Sequence, residues 1–256
     1  MTHASISNSW FVCHKPNPQA RLRLFCFPYA GGGASIFRNW GAEMPPHIEV
    51  RAIQLPGREN RVRENPFTTM PPLVEALALA LQPFTDKPFI FFGHSVGALI
   101  CFELARYLRN QRLPGPIHLL ISGCSAPHMP NPSPHMHHLP DPVLMDMLRQ
   151  LQGTPPSVLQ NIELMQLLLP VFRADLTLYE TYSYVPESPL DCSISAFGGL
   201  EDPNATRDML AAWDQQTQKA FAISMLPGGH FFLFSSHTLL LQGIAQDLLR
   251  LLAQSG

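Results

Sequence analysis

The sequence predicts an α/β fold, a doubly wound and mostly parallel sheet with one helical insertion. Three observations carry that expectation. Short apolar runs of strand length alternate with segments of helical periodicity along most of the chain. One run, Phe89 to Phe92, ends in Gly93-His94-Ser95-Val96-Gly97 and passes straight into helix-forming residues, the sharp strand-to-helix turn that lifts a serine hydroxyl clear of a sheet. From residue 126 to 189 the alternation stops, and a proline-rich stretch leads into amphipathic helical segments with no strand among them. At 256 residues and 46% hydrophobic composition, one domain over 1–256 with a substantial core is expected.

Charge and composition exclude several classes. The formal net charge is -2 and only 14% of residues are charged, which lacks the basic footprint of a nucleic-acid binder. Met1 to Trp10 has neither a basic nor an apolar signal region, and no run approaches the ~18 apolar residues of a membrane span. A cytoplasmic protein is expected. Five cysteines, odd in number and without CxxC spacing, read as reduced, small hydrophobes.

In chain order, Arg21 to Phe27 is the first predicted strand, ending in Pro28-Tyr29-Ala30-Gly31-Gly32-Gly33. Glycines directly after a strand let backbone N–H groups approach a ligand, as an oxyanion hole requires. A phosphate-binding loop is disfavoured by the lack of a Gly-Lys-Ser/Thr ending. A helix over 34–44 and a strand over 48–53 follow, then a loop with Arg58, Arg61 and Arg63, which reads on composition as a solvated charged loop. A helix over 71–84 leads into the serine turn, a helix over 96–110 leaves it, and 117–121 is a short buried strand. The insertion begins with prolines too dense for helix or central strand, then offers helical segments over 141–152, 157–169 and 171–182. Its position after the serine turn suits a lid over a site on the sheet. Histidines 128, 135, 137 and 138 lie in its first part and, with no carboxylate or cysteine set evident beside them, read as exposed loop residues rather than metal ligands. The sheet resumes over 193–197, followed by a helix over 205–216, a strand over 221–226 and a last helix over 235–253.

A serine hydroxyl becomes nucleophilic when a histidine takes its proton and a carboxylate orients that histidine. Asp202 follows one predicted strand and His230 the next, so Ser95, Asp202 and His230 stand at strand ends in the order Ser, acid, His of the α/β hydrolases. The acid is less determined than the other two, since Glu201 is adjacent and Asp191 or Asp175 could reach.

The chain also resembles a known family, the type II thioesterases that accompany nonribosomal peptide and polyketide synthases. The likeness rests on Phe27-Pro28-Tyr29-Ala30-Gly31-Gly32, Leu55-Pro56-Gly57-Arg58-Glu59, Gly93-His94-Ser95-Val96-Gly97, Phe172-Arg173-Ala174-Asp175, Asp202-Pro203 and Gly228-Gly229-His230-Phe231, and covers nearly everything from residue 21. It implies an α/β-hydrolase fold with residues 126–189 as lid. It implies Ser95 as nucleophile, Asp202 as acid, His230 as base and the backbone N–H groups of Ala30 and Val96 as oxyanion hole, without cofactor or metal. Val96 stands where the family usually has methionine, which leaves the amide in place and reshapes the pocket beside it. The implied partners are carrier proteins bearing acyl groups on a phosphopantetheine arm, and the protein is expected to act as a monomer. A chain-releasing thioesterase or general esterase would use the same triad, whereas a non-catalytic binding module would be expected to lack a triad member.

Overall fold

Seven strands hydrogen-bond side by side in the order β1-β3-β2-β4-β5-β6-β7, in a computed structural model that describes residues 9–130, 135–151 and 153–254. They are β1 Phe11–Val12, β2 Leu22–Phe27, β3 Ile48–Ile53, β4 Phe89–His94, β5 His118–Ser122, β6 Ser193–Gly199 and β7 Phe221–Leu226. Every pairing is parallel except that of β1 with β3, where Phe11 lies opposite Ile53. The two-residue β1 escaped the sequence reading because two residues cannot show an alternation. The expectations for the first eight residues and for residues 131–134 and 152 of the insertion fall outside the described residues.

Side chains alternate across a strand, and β4 shows what that does in a sheet covered on both faces. Phe89 and Phe91 enter one core with Phe25, Phe27, Leu119 and Ile121, while Ile90 and Phe92 enter the other with Leu24, Cys26 and Leu120. All are almost fully buried, hence the continuous apolar runs. The first core is closed by α2 Met70–Leu81 and α3 Val96–Asn110, through residues such as Leu77, Leu99 and Phe102. The second is closed by Trp40 of α1 Trp40–Glu43 and by the last helix, through Leu240, Ile244 and Leu248. The helix expected over 34–44 is instead a 3-10 turn, Ala34–Phe37, followed by α1. Because the strands run parallel, the loops after β2, β4, β5, β6 and β7 gather at one edge of the sheet, where α/β folds bind their ligands.

Between β5 and β6 the chain forms α4 Asp141–Leu151, α5 Pro156–Leu159 and α6 Ile162–Glu180. The sequence reading broke α6 near Pro170, and the structure carries the helix through it. A proline there removes one backbone donor, and burial of Leu169, Val171 and Phe172 around it holds the turn. Asn161 caps the start by accepting the Leu164 N–H on Oδ1 at 3.0 Å. Leu144, Leu148, Leu159, Met165, Leu169, Phe172 and Leu176 form a small core of their own, while Leu178 joins the core of the sheet. The chain closes with α7 Arg207–Ala211, α8 Phe232–Ser235 and α9 His237–Gln254. No helix among the described residues is long and apolar enough to cross a membrane.

Candidate active site

Ser95 is the turn between β4 and α3, held at φ 55° and ψ −123°, a backbone conformation that costs an L-residue free energy unless its surroundings enforce it. The enforcement is visible. A Cβ on Gly93 would lie 2.3 Å from the Gly97 carbonyl oxygen, and one on Gly97 would lie 2.4 Å from the Phe27 oxygen of β2. Only glycine lets helix and strands come this close. Ser95 N–H donates to the Ser122 carbonyl at 2.8 Å, which ties the turn to β5. Val96 is the first residue of α3, where a backbone N–H has no acceptor within its own helix.

His230 lies in the turn after β7, and its Nδ1 is 2.7 Å from Asp202 Oδ2. Asp202 is buried in the turn after β6, and its other oxygen accepts the Asn204 N–H at 2.9 Å. The Asp202 contact at Nδ1 leaves Nε2 as the ring nitrogen for other partners. Of the alternative acids, Glu201 and Asp191 are exposed, and Asp175 is engaged elsewhere. Ser95, Val96, Ala30 and His230 line one pocket, with Tyr29 and Phe231 beside them. Its far wall comes from the segment between β5 and β6, as Met136, Leu148, Leu151, Phe172, Leu176 and Tyr179, a mainly apolar surface.

His94, next to Ser95 in sequence, is buried beneath the pocket. Its Nδ1 is 2.9 Å from Ser122 Oγ, its Nε2 has no hydrogen-bond partner among the described residues, and its ring lies 5.2 Å from that of His230. Burial holds its pKa well below the usual histidine value, with the nearby His230 adding to the shift. It therefore stays neutral at ordinary pH.

Two expectations are corrected here. Arg58 and Arg61 are not solvated; both are buried, and only Arg63 of the three is exposed. Burial is tolerable because each is paired, Arg58 in a fork with Asp175 and Arg61 with Glu64, the latter guanidinium also lying 4.1 Å from the Trp10 ring centroid. The second concerns the histidines. A carboxylate does accompany them, since His135, His137 and Glu180 bring one ligand-type atom each to within 4.8 Å of one another. Glu180 is buried and already accepts the Met136 and His137 N–H groups at 2.9 and 3.1 Å as well as His137 Nδ1. Its oxygens thus tie residues 135–137 to the end of α6. His128 is bonded to Gln216, so of the four only His135 and His138 keep the character expected of the loop.

Comparison with known proteins finds relatives that match over most of the chain. Residues 22–249 match the thioesterase-domain family. The chain is 47% identical to the gramicidin S biosynthesis protein GrsT of Aneurinibacillus migulanus, over 99% of each chain. Among solved structures, RedJ, a thioesterase of the prodiginine pathway in Streptomyces coelicolor, superposes with a TM-score of 0.86 at 41% identity, covering 91% of this chain and 92% of its own. YbtT, a type II thioesterase of the yersiniabactin NRPS/PKS pathway, does so at 0.82 and 30% identity, covering 93% and 97%.

Proposed function

The chain belongs to the thioesterase-domain family, and from that premise we propose that it is a serine thioesterase that clears misloaded acyl or aminoacyl groups from the phosphopantetheine arms of synthase carrier proteins. The observation that carries the reading is the 2.7 Å contact of Asp202 with His230 Nδ1 on the same pocket as the strained Ser95. Asp202 fixes the tautomer that leaves Nε2 free to face the serine hydroxyl.

In this reading His230 Nε2 takes the proton as Ser95 Oγ attacks the thioester carbonyl. The negative charge on the carbonyl oxygen is met by the N–H groups of Ala30 and Val96. Collapse of the tetrahedral intermediate breaks the C–S bond, and His230 returns the proton to the departing thiol. Water then attacks the acyl-Ser95 ester with His230 again as base, releasing a free acid and restoring the serine. The apolar wall from residues 136–179 receives the acyl chain. The segment 126–189 acts as a lid under which the arm reaches Ser95, and the working unit is a single chain.

Hydrolysis of an acyl-carrier protein and of the matching p-nitrophenyl ester, run side by side, tests the substrate class. A kcat/KM for the carrier-bound thioester at least ~10-fold above that for the free ester is expected, since remote binding of the arm and carrier contributes to the transition state. Equal values would point to a general esterase.

A further inference from the structure

The mechanism above leaves the buried pair of Arg58 and Asp175 without a part. Charges taken so far out of water need hydrogen bonds at their remaining donors and acceptors to offset the lost hydration, and here those bonds converge on one loop. Asp175 Oδ2 accepts from Arg58 Nη1 at 2.6 Å and from the Gly31 N–H at 2.7 Å, and Oδ1 accepts from Arg58 Nη2 at 2.8 Å. The same Nη1 donates to the Gly32 carbonyl at 3.1 Å, and Arg58 Nε donates to the Pro56 carbonyl at 3.2 Å. Gln54 extends the hold, accepting the Ala34 N–H at 2.9 Å while its Nε2 donates to the Arg58 carbonyl at 3.0 Å.

The loop held in this way contains Ala30. Residues Tyr29 to Gly32 form a tight turn closed by the Gly32 N–H on the Tyr29 carbonyl at 2.9 Å, with Gly31 at φ 76°. A Cβ on Gly31 would meet the Phe172 ring at 2.2 Å, so α6 packs against the turn through Phe172 and bonds to it through Asp175, one helical turn further on. Once the N–H of residue 31 and the carbonyl of residue 32 are fixed, little freedom remains for the peptide plane before them, which carries the Ala30 N–H.

We propose that Asp175, clamped by Arg58, is a positioning residue that sets the oxyanion hole by aiming the Ala30 N–H at the thioester carbonyl. A lone carboxylate so near a developing oxyanion would oppose it; the guanidinium neutralises that charge and supplies the second hold on the loop. The inference rests on the nucleophile and oxyanion assignments proposed above, and its test separates their failure from its own.

The substrates are p-nitrophenyl acetate and its thiono counterpart, in which C=S replaces C=O. Sulfur is the poorer hydrogen-bond acceptor, so the ratio of the two rates reads the oxyanion hole. Asp175→Asn keeps the shape and breaks the charged fork, and Arg58→Lys keeps the charge and loses the fork. Each is expected to lower kcat by roughly 10- to 100-fold, with KM within about twofold and the pH dependence due to His230 in place. The oxo-to-thiono ratio is expected to fall alongside kcat. Should one variant fail to fold, the other carries the same test. Full activity, a lost kcat with an unchanged ratio, or unfolding of both variants would each overturn the proposal and leave the pair a structural role. Ser95→Ala is the separate control, because turnover surviving in it would bring down the nucleophile assignment whatever the clamp variants do.

Discussion

A carboxylate orients a catalytic histidine only from within hydrogen-bond reach, and at this site two neighbouring acids differ in that respect. Asp202 is buried and touches His230, whereas Glu201 is exposed with its backbone N–H on the Gly228 carbonyl. Asp202→Asn is therefore expected to lower turnover by roughly 10³- to 10⁴-fold, and Glu201→Gln to change it by less than about twofold, measured as kcat on an acyl-carrier substrate. A reversal of the two would move the acid by one residue. The strained Ser95 turn and the Asp202–His230 contact were legible in the sequence because each residue belongs to a local pattern, a glycine-flanked turn or a strand end, that a few neighbours specify. Arg58 and Asp175 were not, since they stand 117 residues apart and neither carries a local sign of its partner. Glu180 escaped for the same reason, 43 residues from His137.

The helices between β5 and β6 are held unequally. Buried residues of α4 and α5, such as Leu144, Leu148 and Leu159, pack in a small core confined to that segment, while α6 adds Leu178 to the sheet's core and Asp175 to the loop after β2. A lid that moved as one body would have to break the Asp175 contacts. Hydrogen exchange is expected to divide the segment, with amides of α4 and α5 exchanging at least ~100-fold faster than those of β4 and β5, and the second half of α6 protected nearly as well as the sheet. Uniform protection of α4, α5 and β4, with and without acyl-carrier protein, would make the whole segment a fixed pocket wall. The strands from β2 to β7 were readable because short apolar runs bounded by turn residues stand apart from the longer helical segments. The continuity of α6 was not, because a proline normally ends a helix and only tertiary contacts keep this one going.

At the scale of the whole molecule, protonation between pH 5.5 and 7.5 couples to folding at two histidines that, among the described residues, are buried without full hydrogen bonding, His94 and His118. Burial holds the first well below its ordinary pKa and pushes the second down to about 4. In the unfolded chain both titrate near ~6.5, so below that pH the unfolded state binds more protons than the native one, and stability falls as pH falls. Between pH 7.5 and 5.5 His118 is expected to cost about 1.4 kcal/mol, and His94 to add to the loss, read from urea unfolding at the two pH values. His118→Asn should shrink that loss by about its own share; a variant losing as much as wild type would show that His118 titrates normally in the fold. The central proposal is that Ser95 hydrolyses acyl thioesters carried on a protein-bound phosphopantetheine arm. Intact-protein mass spectrometry of an acetyl-loaded carrier protein tests it most directly. With wild-type enzyme the carrier should lose the mass of the acyl group and keep its arm as the free thiol, and with Ser95→Ala it should stay acylated over the same time. A carrier left acylated by the wild type, or cleared equally fast by Ser95→Ala, would contradict the account.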